Sequence, residues 1–137
     1  MSMYTDLKEE VWLANMEIPS RQLAIYTWGN VSAFLPEKGI FAIKPSGVPY
    51  DQLKPEHMVL VDLEYRVVEG HMKPSSDTKT HAVLYREWQG IGSIVHTHSP
   101  HGCAWAQAHR DIPIYGTTHA DHLAVDIPCT PRSVTHT

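Results

Sequence analysis

Cysteine is scarce. Cys103 and Cys129 are the only two in 137 residues, and no C-x-x-C spacing occurs. They read as buried or incidental thiols of a reducing compartment, not as a disulfide framework. The chain also lacks a basic run and carries a net charge of −4, which argues against a nucleic-acid binder. No apolar stretch approaches the roughly 20 residues that a membrane span requires. Met1 to Asp6 has neither a basic n-region nor an apolar h-region, so it does not read as a signal peptide. The cytoplasm is the expected location.

What is present is an ordinary globular mixture, 42% hydrophobic and 19% charged, of a length suited to one domain with a real core. Ten histidines are many for this length, and several stand in or beside the polar motifs. The first of these motifs is Ser93-Ile94-Val95-His96-Thr97-His98-Ser99. Ile94 and Val95 are β-branched and favour a strand. In a strand, residues i and i+2 share a face, so His96 and His98 would stand side by side, roughly 7 Å apart at the backbone. Imidazole is a common ligand of Zn²⁺ and similar ions. A strand with two half-exposed histidines is the plain alternative.

Apolar periodicity predicts a helix over Thr5 to Met16, stopped by Pro19. Strands are expected at Leu23 to Trp28, Val31 to Leu35, Ile40 to Ile43, Met58 to Leu63 and Val67 to Gly70, with a short helical turn over Leu53 to His57. A helix over Thr78 to Trp88 leads to Gly90, a good residue just past a helix end. A further helix is expected over Gly102 to Ala108 and a strand over Ile112 to Tyr115. No periodicity is evident from Ile127 to Thr137. The connections after Leu35 and Leu63 are too short for parallel crossovers, which predicts a largely antiparallel sheet with helices packed on it.

Three small polar clusters recur at element ends: Gly29-Asn30, Ser46-Gly47 and Ser75-Ser76. Glycine admits close approach of a ligand to the backbone. Serine hydroxyls and free N–H groups at a helix start favour an anion. With Lys44 nearby, the three clusters favour a small phosphorylated ligand over mere caps and turns. Asp77 could complete a His-based metal site or act as a base, or simply cap the helix. His119 and Asp121 would share a face on an extended segment, where Asp121 could serve as a general acid/base or be a solvated loop acid. His57, His71, His81, His109 and His122 carry no spacing signal.

Trp28-Gly29-Asn30-Val31-Ser32, Lys44-Pro45-Ser46-Gly47-Val48, Val68-Glu69-Gly70 and Lys73-Pro74-Ser75-Ser76-Asp77-Thr78 form an ordered series of motifs. It continues with His96-Thr97-His98-Ser99, Gly116-Thr117-Thr118-His119-Ala120-Asp121 and Ile127-Pro128-Cys129-Thr130. The series resembles the L-ribulose-5-phosphate 4-epimerase branch of the class II aldolase/epimerase family over nearly the whole chain. The resemblance implies a three-layer α/β/α sandwich with a mainly antiparallel central sheet, in one domain spanning 1–137. It implies that Gly29, Asn30, Lys44, Ser46, Gly47, Ser75 and Ser76 bind a ketopentose phosphate. It further implies that Asp77, His96 and His98 form the metal site, for one Zn²⁺ per subunit, and that Asp121 is the catalytic acid/base. Relatives of this kind are homotetramers with active sites between subunits.

The implied reaction inverts C4 of L-ribulose 5-phosphate to give D-xylulose 5-phosphate. The C4 hydrogen is not acidic, so cleavage and re-formation of the C3–C4 bond is the expected route, with a Lewis acid stabilising the enediolate. A class II aldolase acting on a deoxyketose phosphate is the alternative within the family. Asp77, where aldolases usually have Glu, and Trp28, where they usually have Ser, favour the epimerase. Family members extend further, and that extension carries a third metal-binding histidine and a tyrosine acid/base. Pro131 to Thr137 does not resemble the helix with which the family continues. The chain therefore reads as a truncated or frameshifted form lacking the C-terminal part, expected to be marginally folded with little or no epimerase activity. A non-catalytic remnant that binds sugar phosphate or associates with relatives is the reading of another class.

Overall fold

The computed structural model describes residues 3–131, so expectations for Arg132–Thr137 lie outside the described residues. The chain forms two compact units, Met1–His98 and Ser99–Thr137.

The first unit is built on a five-stranded sheet, β1 (Asn30–Leu35), β2 (Ile40–Ile43), β3 (Val59–Asp62), β4 (Val67–Glu69) and β5 (Ser93–His96), in the order β4-β3-β2-β1-β5. Every pairing is antiparallel, as the short connections require. Helix α1 (Met3–Ser20) covers one face and α2 (Thr78–Glu87) the other. Strand alternation distributes the side chains. Ile40, Ala42 and Leu60 join Leu7, Val11 and Ile18 of α1, while Phe41, Ile43, Val59 and Val61 join Ala82 and Tyr85 of α2. All four β2 residues are buried because both sheet faces are covered. This is the expected three-layer α/β/α arrangement.

The first helix is longer than its sequence pattern indicates. Pro19 lies inside its last turn. The end is a Schellman closure: Leu23 N–H donates to Ile18 C=O (2.9 Å), Gln22 N–H donates to Pro19 C=O (3.1 Å), and Gln22 adopts φ 56°. That closure overturns the strand expected at Leu23 to Trp28. The segment continues as turns, with Tyr26 at φ 55° and Trp28 N–H donating to Ile25 C=O at 3.1 Å. The helical turn expected at Leu53 to His57 is present as the 3-10 turn Pro55–His57, and a second 3-10 turn, Tyr50–Gln52, precedes it.

The second unit contains α3 (Pro100–Gln107) and α4 (Thr117–Leu123). Ile112 makes only an isolated bridge to Ile127 where a strand was expected. Thr117 to Asp121 is helical, not extended, so His119 and Asp121 at i and i+2 do not share a face. None of this unit's described residues is buried.

Candidate functional site

Two loops of the first unit are zipped together. Ser46 N–H donates to Lys73 C=O (2.9 Å), Ser75 N–H donates to Lys44 C=O (3.1 Å), and Pro45 bridges Pro74. This pairing sets Ser46-Gly47 beside Ser75-Ser76, although the two clusters lie far apart in sequence. Gly47 adopts φ +72°, a left-handed conformation that a side chain would disfavour. Gly29, at φ +74°, is required for a second reason. A Cβ there would stand 3.0 Å from the His96 carbonyl oxygen and 3.1 Å from Ala24 Cβ.

These loops, the start of β1, the start of α2 and the end of β5 enclose a cavity of about 370 Å³, the scale of a small-ligand site. Gly29, Asn30, Lys44, Ser46, Gly47, Ser75, Ser76, Asp77, His96 and His98 all line it, as do Thr27 and Trp28. Ten of the eleven residues singled out from the sequence thus lie around one space. The eleventh, Asp121, is exposed on α4 in the second unit.

The polar wall is a continuous hydrogen-bonded chain. Asn30 Nδ2 donates to Asp77 Oδ2 (2.7 Å) and to Ser75 Oγ (3.2 Å). Asp77 Oδ2 also bonds His96 Nδ1 at 2.7 Å, and His96 Nε2 meets His98 Nε2 at 3.1 Å. The bond from His96, opposed by partial burial, holds the Asp77 carboxyl down at about 2. The same bond raises the His96 pKa, whereas burial and then the charge on His96 lower that of His98. Asn30 Oδ1 is buried with no hydrogen-bond partner, an acceptor left over in the cavity wall.

Beneath the cavity Lys44 is almost fully buried, and desolvation lowers its pKa. Its Nζ donates to Thr27 C=O (2.9 Å) and lies 4.7 Å from the Tyr50 ring centroid. The Tyr50 hydroxyl donates to the carbonyls of Trp28 (2.8 Å) and Gly29 (3.0 Å), and burial pushes its pKa up to about 12. Behind the wall, Ser32 Oγ bonds His81 Nδ1 and the Tyr85 hydroxyl, each at 2.7 Å. Tyr50, His81 and Tyr85 have no spacing signal in the sequence, whereas Ser32, like Trp28, stands inside a recognisable motif.

The site bears directly on metal binding. Two nitrogens bound to Zn²⁺ at ~2.0–2.1 Å with tetrahedral geometry stand about 3.4 Å apart. The observed Nε2–Nε2 separation of 3.1 Å is close to that. Asp77 meets the other nitrogen of His96, so its carboxylate orients that ring. Among the described residues, no three His, Cys, Asp or Glu side chains are grouped to hold one ion. The imidazole pair fits a metal as two donors and leaves further coordination positions to other groups.

Comparison with known proteins decides the family. The class II aldolase and adducin N-terminal domain matches residues 9–137. The chain belongs to this family. Solved structures agree. An L-fuculose 1-phosphate aldolase superposes with a TM-score of 0.76 at 31% identity, over 82% of this chain and 52% of that one. The L-fuculose-1-phosphate aldolase of Thermus thermophilus gives 0.73 at 26% identity, over 89% and 61%. YgbL of Klebsiella pneumoniae, described as a putative aldolase/epimerase/decarboxylase, gives 0.68 at 26%, over 85% and 52%. The chain therefore spans about half the length of the solved relatives it matches. The activities named are those of these relatives, and they do not separate aldolase from epimerase. Among the described residues, no helix is long and apolar enough to cross a membrane.

Proposed function

We propose that this chain provides the sugar-phosphate pocket and two metal-binding imidazoles of an L-ribulose-5-phosphate 4-epimerase, working in the cytoplasm as a homotetramer. The observation that carries this reading is the Asn30–Asp77–His96–His98 hydrogen-bonded chain in the wall of the cavity that Ser46, Gly47, Ser75 and Ser76 also line. The loop pair 44–47 and 73–76 receives the phosphate of a ketopentose phosphate. Lys44 adds positive charge beneath the pocket and holds the Thr27 carbonyl in place.

His96 and His98 would hold Zn²⁺, with Asp77 completing the site through its bond to His96 Nδ1. When bound, the ion supplies a Lewis acid for charge that develops on substrate oxygens as the C3–C4 bond breaks. Asp121 is the acid/base that exchanges a proton with the C4 hydroxyl.

A class II aldolase acting on a deoxyketose phosphate is the second reading, favoured by the 31% identity to an L-fuculose 1-phosphate aldolase. Asp77 and Trp28 are the residues that favour the epimerase. Assaying the Zn²⁺-loaded chain with L-ribulose 5-phosphate and L-fuculose 1-phosphate separates the two. D-xylulose 5-phosphate formed from the first, without cleavage of the second, supports the epimerase. Release of an aldehyde and a three-carbon ketose phosphate from L-fuculose 1-phosphate overturns it in favour of the aldolase.

A further inference from the structure

His96 and His98 face one another through Nε2 but are held by different means. His96 ends β5, and its Nδ1 is bonded to Asp77 Oδ2. A metal-binding imidazole is ordinarily fixed in this way, through its second nitrogen. His98 lies beyond the end of β5. Its backbone N–H donates to Leu23 C=O (2.8 Å), which fixes the main chain but leaves the ring free to turn. Among the described residues no hydrogen-bond partner meets its Nδ1.

What does meet the ring is Trp28. The two ring centroids are 5.4 Å apart with planes inclined at 33°. The main chain that carries the indole is fixed. Trp28 N–H donates to Ile25 C=O (3.1 Å), its C=O accepts from Tyr50 (2.8 Å), and Gly29 follows in a conformation that tolerates no side chain. The edge of the Tyr26 ring meets the indole at 5.3 Å and 78°. Trp28 nevertheless remains 49% exposed, so burial in the core does not explain its placement.

We propose that Trp28 is the positioning residue for His98: packed at a tilt against the imidazole at the cavity wall, the indole keeps Nε2 turned towards His96, as Asp77 does for His96 itself. This rests on the reading of the two imidazoles as metal ligands. It assigns to Trp28 a role besides its place in the motif. A flat aromatic surface restricts ring rotation without needing a polar partner, so a smaller aromatic residue retains much of the effect and a methyl group none.

The test uses the full 137-residue chain, with Co²⁺ as the probe, and compares wild type with Trp28→Phe and Trp28→Ala. The Co²⁺ dissociation constant should rise about tenfold or more in Trp28→Ala, the scale seen when a ligand's orienting partner is lost. Trp28→Phe should stay much closer to wild type. In the metal-free chain, the His98 ring-proton resonances, assigned by their loss in His98→Gln, should move in Trp28→Ala as the indole ring current disappears. A thermal midpoint in Trp28→Ala equal to wild type separates this effect from loss of the fold. Wild-type affinity in Trp28→Ala, or equal losses in the Ala and Phe variants, overturns the inference, as do unmoved ring resonances. Failure of wild type to bind Co²⁺ overturns the metal reading instead, and the ring resonances alone then decide whether Trp28 orients His98.

Discussion

The two units are organised on opposite terms. In Met1–His98, a sheet covered on both faces buries side chains on each side, and the polar cavity is built on that core. In Ser99–Thr137, the motifs fall on two short helices and an isolated bridge, with no described residue buried. A motif can therefore match a family equally well in both units while being anchored very differently. The first unit fixes its side chains by packing and by buried hydrogen bonds. The second relies on local contacts such as Asp111 accepting from Cys129 N–H (2.6 Å) and His119 Nε2 meeting Val125 C=O (2.9 Å). Exposed local hydrogen bonds contribute little to global stability and open readily.

The sharpest way to break this comparison is to truncate one large side chain in each unit. Phe41 is 0% exposed between the sheet and α2, and Tyr115 is 79% exposed. Phe41→Ala should lower the free energy of unfolding by about 3–5 kcal/mol. Tyr115→Ala should change it by no more than about 0.5 kcal/mol. Urea denaturation followed by circular dichroism measures both. Equal losses would mean that the second unit has a core of its own.

A smaller effect sharpens the same contrast through pH. His81 is buried against Ser32, and desolvation lowers its pKa from 6.5 to about 4. Between those values the unfolded chain binds a proton that the folded chain refuses, so stability rises with pH across that window. From about pH 6.5 downwards this contribution is progressively lost, until the folded imidazole also titrates near 4. His81→Asn, which keeps a polar group near Ser32 but cannot titrate, should flatten the dependence of the urea midpoint between about pH 6.5 and 4.5. An unchanged slope in that variant would place the titrating group elsewhere.

Sequence pattern resolved what depends on neighbours in the chain. The strands at Ile40 to Ile43 and Val59 to Val61, the α2 helix ending near Gly90, and the glycine and serine clusters were all legible. So was the antiparallel sheet, because the connections are short. The strand expected at Leu23 to Trp28 failed because the Schellman closure after α1 diverts an apolar run into turns. His119 and Asp121 would have shared a face on an extended segment, yet they lie in the seven-residue helix α4. The buried polar groups Asn15 and His81 were illegible for a different reason. Their partners come from distant segments, as when Val31 N–H donates to Asn15 Oδ1 and Asn15 Nδ2 donates to Val31 C=O. Asp77 shows the same limit. Its type and place in a motif indicated a metal site, but only the fold reveals that it bonds the far nitrogen of His96.

The central claim is that His96 and His98 act together on one divalent ion. Calorimetric titration of the 137-residue chain with Zn²⁺, beside the His96→Gln/His98→Gln double variant, tests it most directly. The account predicts one saturable site per chain in wild type and its loss in the double variant. No saturable binding in wild type, or the same binding in both, would contradict it.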